Sequence, residues 1–230
     1  MSLEEVFFGR YHNFVFIGGT GSGKSEIALN FARILAQKGD KKVHFFDLDM
    51  TKPLFRSRDA LEPLRKLGVE VHFQEQFEDA PTQVGGVDAC LKNEDCYTIL
   101  DVGGDSVGAR SIGGYAGWLN RESTGVYYIL NAYRPWSDSI DHIDHTLAQI
   151  LGVSRIRLSQ LRMVNNPHLS EETDAETVLE GCKRMDEILA PYASTSFACA
   201  REELIPALRE KTDIPLLPLH LYLTYEWNEE

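Results

Sequence analysis

The sequence predicts a three-layer α/β fold built around a mostly parallel central β-sheet. Three observations support this prediction: predicted strands alternate with predicted helices, the strands are apolar runs, and a glycine-rich turn links the first strand to the first long helix. Strand–helix–strand units of this kind form right-handed crossovers, which place helices on both faces of a sheet. The chain has 230 residues, of which 43% are apolar and 25% charged. We therefore expect a single domain over residues 1–230.

The first strand and helix are the most clearly patterned elements. The apolar run 13–18 predicts a buried strand. Apolar residues of segment 24–38 recur at helical spacing, which predicts an amphipathic helix. Gly39 should end this helix, because glycine readily adopts the left-handed conformation of a C-cap.

The remaining elements follow in alternation. Strands are predicted at 43–46, 69–73, 96–102, 125–130, 161–164 and 194–198, and helices at 54–67, 84–91, 139–151 and 175–188. Pro63 should break or kink the helix that contains it. The glycine-rich segment 103–117 is expected to be a long, functional loop, and the last residues alternate like a strand.

Charge and composition argue against several classes of partner. Lys and Arg total 23 and Asp and Glu total 35, so the net charge is −12. A surface this acidic repels nucleic acids and anionic lipids, and no basic patch offsets it. The N-terminal segment lacks the features of a signal peptide, and no apolar run approaches the ~18 residues of a membrane helix. The cysteines form no C-x-x-C pair, so we expect no zinc or iron–sulfur site, and scattered thiols are typical of a cytoplasmic protein.

The segment 18–25, GGTGSGKS, matches the phosphate-binding pattern G-x-x-x-x-G-K-[ST]. A predicted strand precedes it and a predicted helix follows, as the chemistry requires. Glycines allow successive backbone N–H groups to point at phosphate oxygens, and the helix adds its positive N-terminal end. The predicted nucleotide-binding residues here are Gly18, Gly19, Thr20, Gly21, Ser22, Gly23, Lys24, Ser25 and Glu26. Among these, Lys24 should contact the β- and γ-phosphates, and Ser25 should bind Mg²⁺.

Carboxylates end two further predicted strands. Asp101 ends YTILDVGG and should hold Mg²⁺ through a metal-bound water, while Gly104 follows in D-x-x-G spacing, where its N–H could contact the γ-phosphate. Asp47 and Asp49 end the strand in HFFDLDMTKP and point the same way from an extended chain. Either could approach Mg²⁺ or orient the attacking water. The alternative for all three is an ordinary cap or turn aspartate.

The stretches GGTGSGKS, FFDLDMTKP and ILDVGGD together resemble SIMIBI-class P-loop proteins, and in particular the MinD/ParA-like ATPases. The second stretch is also similar to the D-x-D-x-x-x-P segment of bacterial tyrosine kinases, with Asp47, Asp49 and Pro53 in the matching positions. The resemblance implies a three-layer P-loop NTPase fold that uses ATP and Mg²⁺. It implies Asp49 as a switch residue near the water or the metal and Asp101 as the metal-side acid. Together with the phosphate loop, the predicted catalytic residues are Lys24, Asp49 and Asp101, and the predicted metal-binding residues are Ser25, Asp49 and Asp101.

Two features depart from the MinD/ParA pattern. That family carries a signature lysine five residues before the second lysine of the loop, and this position is Gly19 here. The cross-dimer lysine contact is therefore missing, although a homodimer of another geometry stays open. The chain also ends in an acidic segment rather than a basic amphipathic helix, so membrane attachment by that route is not expected.

The choice of base is indicated by the residues after the strand 161–164. Many GTPases have an N-K-x-D motif there, whereas this chain has Asn165, Asn166, Pro167 and His168. An asparagine at this place resembles the adenine-contacting position of the ParA/MinD family, because an amide can both donate and accept hydrogen bonds. We therefore favour ATP over GTP. Alternatively, Asn165 and Asn166 only shape the turn before Pro167.

These observations favour an ATPase switch, in which the loops after Asp49 and Asp101 order on ATP binding and thereby control an unidentified protein partner. Two alternatives stay open: a nucleotide-binding regulatory or scaffold protein with negligible turnover, and a kinase for a protein tyrosine or a small molecule. An arginine could add charge at the γ-phosphate, although most arginines are simply exposed. The candidates are Arg56, Arg58 and, best placed, Arg110.

Overall fold

The computed structural model describes residues 2–49, 57–73 and 85–223. Its strands are β1 (Asn13–Gly18), β2 (Lys42–Leu48), β3 (Glu70–His72), β4 (Cys96–Val102), β5 (Thr124–Leu130), β6 (Leu161–Asn165), β7 (Phe197–Arg201) and β8 (Leu216–Leu219). Its α-helices are α1 (Leu3–Phe8), α2 (Lys24–Lys38), α3 (Ser57–Lys66), α4 (Val87–Lys92), α5 (Ser106–Arg110), α6 (Ala116–Leu119), α7 (Ile140–Ser154), α8 (Ala175–Leu189) and α9 (Ile205–Arg209). None of the helices in these ranges is both long enough and apolar enough to cross a membrane.

The described strands form one sheet in the order β3-β2-β4-β1-β5-β6-β7-β8. Every neighbouring pair is parallel. The carboxyl ends of all these strands therefore lie at one edge of the sheet, where the connecting loops meet. Because β1 lies between β4 and β5, the loop that follows it is central to this edge.

Side chains of each strand alternate between the two faces of the sheet. On β1, Phe14 and Phe16 pack with α1 and α2 on one face. Val15 and Ile17 pack with α4, α5, α6 and α7 on the other face. Helices thus cover both faces of a parallel sheet, and the predicted three-layer α/β fold is confirmed.

Most predicted elements are present, and three have the predicted bounds: β1, α2 and β4. Gly39 ends α2 in a left-handed conformation with φ of 70°, as expected for a glycine C-cap. The strand predicted at 194–198 is displaced, since β7 covers Phe197–Arg201. Pro63 lies inside α3 and does not end it, whereas residues 54–56 of the predicted helix lie outside the described residues.

The segment 103–117 differs from its prediction as an irregular loop. It contains α5, a 3-10 turn at Gly113–Tyr115 and the beginning of α6. Asp105 caps α5, since its Oδ1 accepts a hydrogen bond from the N–H of Gly108 at 2.7 Å. The prediction was wrong because helices of four or five residues are too short to show a helical period.

The C-terminal segment also differs from its prediction. Its alternating sequence predicted a strand, yet the strand β8 ends at Leu219 and residues 220–223 have no regular structure. Their main chain bonds to α2 instead: the N–H groups of Tyr222 and Leu223 donate to the Glu26 carboxylate at 2.7 and 3.0 Å. Side-chain acceptors on a helix have thus replaced the ladder of a neighbouring strand. Residues 224–230 lie outside the described residues.

Candidate functional site

The glycine-rich segment 18–25 joins β1 to α2 at the centre of the carboxyl edge. Gly18, Gly21 and Gly23 have φ of 143°, 74° and 93°, which glycine adopts far more readily than other residues. Space is also lacking, since a Cβ on Gly18 would lie 2.4 Å from the carbonyl oxygen of Ile129. The sequence therefore folds here into the tight turn that a phosphate-binding loop requires.

Lys24 and Gly104 both lie against this loop. The buried Lys24 side chain folds back so that its Nζ donates to the carbonyl oxygen of Gly19 at 2.9 Å. The Thr20 hydroxyl donates to the carbonyl oxygen of Gly104 at 3.4 Å. A Cβ on Gly104 would lie 2.8 Å from Thr20 Cα and 2.9 Å from Lys24 Nζ. The loop after β4 thus contacts the phosphate loop directly, and only glycine fits at the contact.

Three carboxylates converge beside Lys24. Asp47 and Asp101 are partners across the β2–β4 pair, and the N–H of Asp49 donates to Asp47 Oδ1 at 3.1 Å. Asp49 Oδ1 lies next to Gly103, the second residue after Asp101, at 3.0 Å from where a Cβ would be. The strand ends predicted to hold carboxylates therefore do bring them together.

Asp101 is the most perturbed of the three. Burial, together with the negative charges of Asp47 and Asp49, raises its pKa to about 8, against a hydrogen bond from Ser25 and the charge of Lys24. Its Oδ1 has no hydrogen-bond partner within the described part of the chain. Carboxylate and hydroxyl oxygens are the ligands that Mg²⁺ prefers. An unpartnered buried carboxylate oxygen among two more carboxylates and a serine hydroxyl fits such an ion.

The amides of Asn165 and Asn166 have partners other than a base. Asn166 Nδ2 donates to the carbonyl oxygen of Ser22 at 2.9 Å, and Asn165 Nδ2 donates to the carbonyl oxygen of Gly181 on α8 at 3.2 Å. The two residues are only 4% and 1% exposed. This arrangement gives Asn166 a role in holding the phosphate loop and gives Asn165 a role in joining β6 to α8. Asn165 Oδ1 has no hydrogen-bond partner among the described residues, and the contact of these amides with adenine stays a prediction.

Glu26, included in the predicted nucleotide site, has its carboxylate committed elsewhere. It accepts the N–H groups of Tyr222 and Leu223, and burial raises its pKa despite these bonds. Its side chain therefore anchors the C-terminal segment on α2. Contact with a nucleotide is left to its main-chain N–H in the first helical turn.

The loop after β5 contributes two residues that no local sequence pattern predicted. Trp136 packs on Gly19, where a Cβ would lie 3.0 Å from the Trp136 Cβ and 3.3 Å from indole atoms. Arg134 Nε lies 3.9 Å from the Cβ position of Gly21 and, among the described residues, has no hydrogen-bond partner although it is buried. Arg134 is therefore better placed for phosphate than Arg110, which is exposed at the end of α5.

Three other candidate residues lie wholly or partly outside the described part of the chain. Pro53 and Arg56 lie outside the described residues, as does the side chain of Arg58. The only available signal for Arg134 and Trp136 was topological, because every loop that follows a parallel strand reaches the same edge.

The solved structures that are similar to this chain include those of FlhF and FtsY. The match to FlhF complexed with GMPPNP/Mg²⁺ has 14% identity and a TM-score of 0.48, and covers 82% of this chain and 66% of FlhF. The match to the signal recognition particle receptor FtsY from Elizabethkingia anophelis, in complex with GDP, has 15% identity and a TM-score of 0.43. It covers 68% of this chain and 48% of FtsY. The chain thus spans about two-thirds of the first protein and half of the second, and no curated protein sequence matches it.

Residues 14–194 match the family described as CbiA, the CobQ/CobB/MinD/ParA nucleotide binding domain. The matched range contains the phosphate loop, the three carboxylates and both asparagines of the site. It confirms the resemblance to MinD/ParA-like proteins that the motifs indicated. The chain belongs to the CobQ/CobB/MinD/ParA family of P-loop nucleotide-binding domains.

Proposed function

We propose that this protein is an ATP- and Mg²⁺-dependent ATPase that acts as a nucleotide-dependent switch on a protein partner. One observation carries the proposal: the phosphate loop, the carboxylate Asp101 and the loop that contains Gly104 meet at one point, around the Lys24 amine. This point brings together a binding site for phosphate, a set of oxygen ligands and a segment able to respond to what is bound.

Each residue has a defined part in this proposal. The N–H groups of the loop and the Lys24 ammonium bind the phosphates. Ser25, Asp101 and Asp49 hold Mg²⁺, which supplies positive charge to the phosphate oxygens when it is bound. Asp47, which lies beside Asp101 and accepts the N–H of Asp49, can orient the attacking water by accepting a hydrogen bond from it.

The switch is proposed to act through the contact between Gly104 and the phosphate loop. Gly104 touches both Thr20 and Lys24, so a γ-phosphate bound by Lys24 would lie against the loop after β4. That loop continues directly into α5, whose Val107 side chain is 62% exposed. A change in the loop would therefore reach an exposed apolar residue, which suits contact with a protein partner.

ATP is proposed over GTP because the residues after β6 lack the lysine and aspartate of the N-K-x-D motif. Asn165 and Asn166 are bonded within the protein, so they add no argument for either base.

The proposal is tested by phosphate release from ATP and from GTP with Mg²⁺. We expect turnover of ATP that is lost in Lys24→Ala and Asp101→Ala and kept in Lys211→Ala, which removes an exposed lysine far along the chain. Preferred turnover of GTP would overturn the choice of base. Tight ATP binding without phosphate release, alone or with a partner, would favour a scaffold. Transfer of label from γ-labelled ATP to protein would favour a kinase.

A further inference from the structure

A second cluster of reactive side chains lies on the face of the sheet that α4 covers. Potential ligand atoms of His44 on β2, Cys90 on α4 and Cys96 on β4 all lie within 4.8 Å of one another. His72 on β3 adjoins them, with its Nε2 at 3.0 Å from His44 Nδ1. We propose that His44, Cys90 and Cys96 form a binding site for a thiophilic transition-metal ion, and specifically for Zn²⁺, with His72 as the hydrogen-bond partner of the His44 ring.

The strand register and one short connection bring these residues together. His44 is the partner of Thr98 on β4, and Cys96 lies two residues before Thr98, so that all three side chains project from the same face. The chain passes from the end of α4 at Lys92 to Cys96 within four residues, which keeps Cys90 next to Cys96. The proposed ligands therefore stand on regular elements and not on a mobile loop.

The separations suit a tetrahedral ion after small adjustments. Zn²⁺ lies ~2.3 Å from sulfur and ~2.0 Å from imidazole nitrogen, which places neighbouring ligand atoms roughly 3.3–3.8 Å apart. The ligand atoms of His44, Cys90 and Cys96 all lie within 4.8 Å of one another, so small adjustments bring them to this range. Cys96 Sγ now lies 3.4 Å from the carbonyl oxygen of Asn93 and 3.7 Å from that of Cys90. Such long thiol contacts are weak and cost little to exchange for a metal bond.

The chemistry of the donors selects the ion. Two thiols and one imidazole match the Cys₂His ligand set of zinc sites that keep a fourth position open, and they are poor ligands for Mg²⁺, which prefers oxygen. Cys96 is buried, and His44, His72 and Cys90 are partly buried, so the site is shielded from water yet close to the surface. Glu70 Oε2 lies 3.4 Å from His44 Nδ1 at the outer edge and adds negative charge near the cluster.

This cluster is separate from the phosphate site. His44 precedes Asp47 by three residues on β2, which is about 10 Å along a strand and toward the amino edge of the sheet. The two sites should therefore bind their ions independently. An ion at the cluster would tie β2 to β4 and α4, and its binding free energy would add to the stability of this side of the sheet.

The test is a titration of the reduced, metal-free protein with Co²⁺, whose thiolate complexes absorb by charge transfer. We expect this absorption in the unaltered protein and its loss on adding Zn²⁺. The absorption should be absent in Cys90→Ser and Cys96→Ser. His72→Gln should bind Co²⁺ at least 10-fold more weakly, because His44 loses its hydrogen-bond partner. Cys182→Ser, which removes a buried thiol from a different cluster, should leave the absorption unchanged.

Two further measurements make the result independent of whether the variants fold. Zn²⁺ should slow alkylation of Cys90 in the unaltered protein, as mapped on peptides, and should raise its melting temperature in the presence of excess Mg²⁺ and ATP. The proposal is overturned if no charge-transfer band forms, if the band survives in both thiol variants, or if Mg²⁺ and ATP displace the metal.

Discussion

Replacing Asp101 with asparagine tests the electrostatics of the phosphate site. In the protein without nucleotide or Mg²⁺, burial and the charges of Asp47 and Asp49 raise the pKa of Asp101 from 3.8 to about 8. At neutral pH the carboxyl is thus ionised in the unfolded chain but mostly protonated in the folded protein. The protonated form contributes full stability below the unfolded pKa near 4, and this contribution is lost as the pH rises through the folded pKa near 8.

The pKa values set the size of this effect. Each pH unit between them corresponds to about 1.4 kcal/mol, so the free energy of unfolding of the unaltered protein should fall by up to about 3 kcal/mol between pH 5 and pH 7. Asparagine keeps the shape of the side chain but cannot ionise, and it therefore lacks this dependence. Its amide N–H needs an acceptor, which offsets part of the gain. We expect Asp101→Asn to be more stable than the unaltered protein by about 1–3 kcal/mol at pH 7.

The assay is urea or thermal unfolding of both proteins at pH 5, 7 and 8 without nucleotide or divalent ions. Asp144→Asn, which neutralises an exposed aspartate on α7, is the matched control. Addition of Mg²⁺ and ATP should then stabilise the unaltered protein more than Asp101→Asn, because the variant has lost a ligand. Equal pH dependence in the two proteins would refute the buried-charge argument.

Two further predictions concern the contacts that hold the phosphate loop. Gly104→Ala should weaken ATP binding at least 10-fold in a titration with a fluorescent ATP analogue, because its Cβ would meet Thr20 and Lys24. Gly114→Ala should leave binding unchanged, because its Cβ meets no described atom within 4 Å. Equal effects of the two substitutions would contradict the argument. Asn166→Ala removes the bond to Ser22 and should cost about 1–3 kcal/mol of stability, measured by urea unfolding. The substitution should weaken the binding of ATP and of GTP by the same factor. A change in the ratio of the two affinities would instead indicate that Asn166 contacts the base.

Residues tied to a local pattern could be predicted from the sequence. The phosphate loop can be predicted because a glycine-rich turn lies between an apolar run and an amphipathic segment. These two segments form β1 and α2 with the predicted bounds. Asp101 and Gly104 were found in the same way, because they follow an apolar strand at a spacing set by the backbone. Since parallel strands end at one edge, their convergence on Lys24 follows from the fold class.

Partners far apart in the sequence could not be predicted. The sequence alone allows the amide of Asn166 to face a base or to face the phosphate loop. Its hydrogen bond to the Ser22 carbonyl oxygen depends on how the two loops pack together. Glu26 sits in the predicted phosphate-binding stretch, yet its carboxylate is taken by Tyr222 and Leu223 near the other end of the chain. Such contacts depend on how a distant segment crosses the helix, which no local pattern encodes.

Trp136 gives a structural reason for the glycine that replaces the signature lysine. A side chain at residue 19 would meet the Trp136 Cβ at 3.0 Å and its indole at 3.3 Å, so a lysine there requires the loop after β5 to move. The indole is half exposed and occupies the space beside Gly19 into which a side chain at this residue would project. The glycine at residue 19 and the position of the loop after β5 therefore depend on each other. Any dimer that it forms lacks the contact of the signature lysine, and Trp136 and Arg134 lie against this side of the phosphate loop instead.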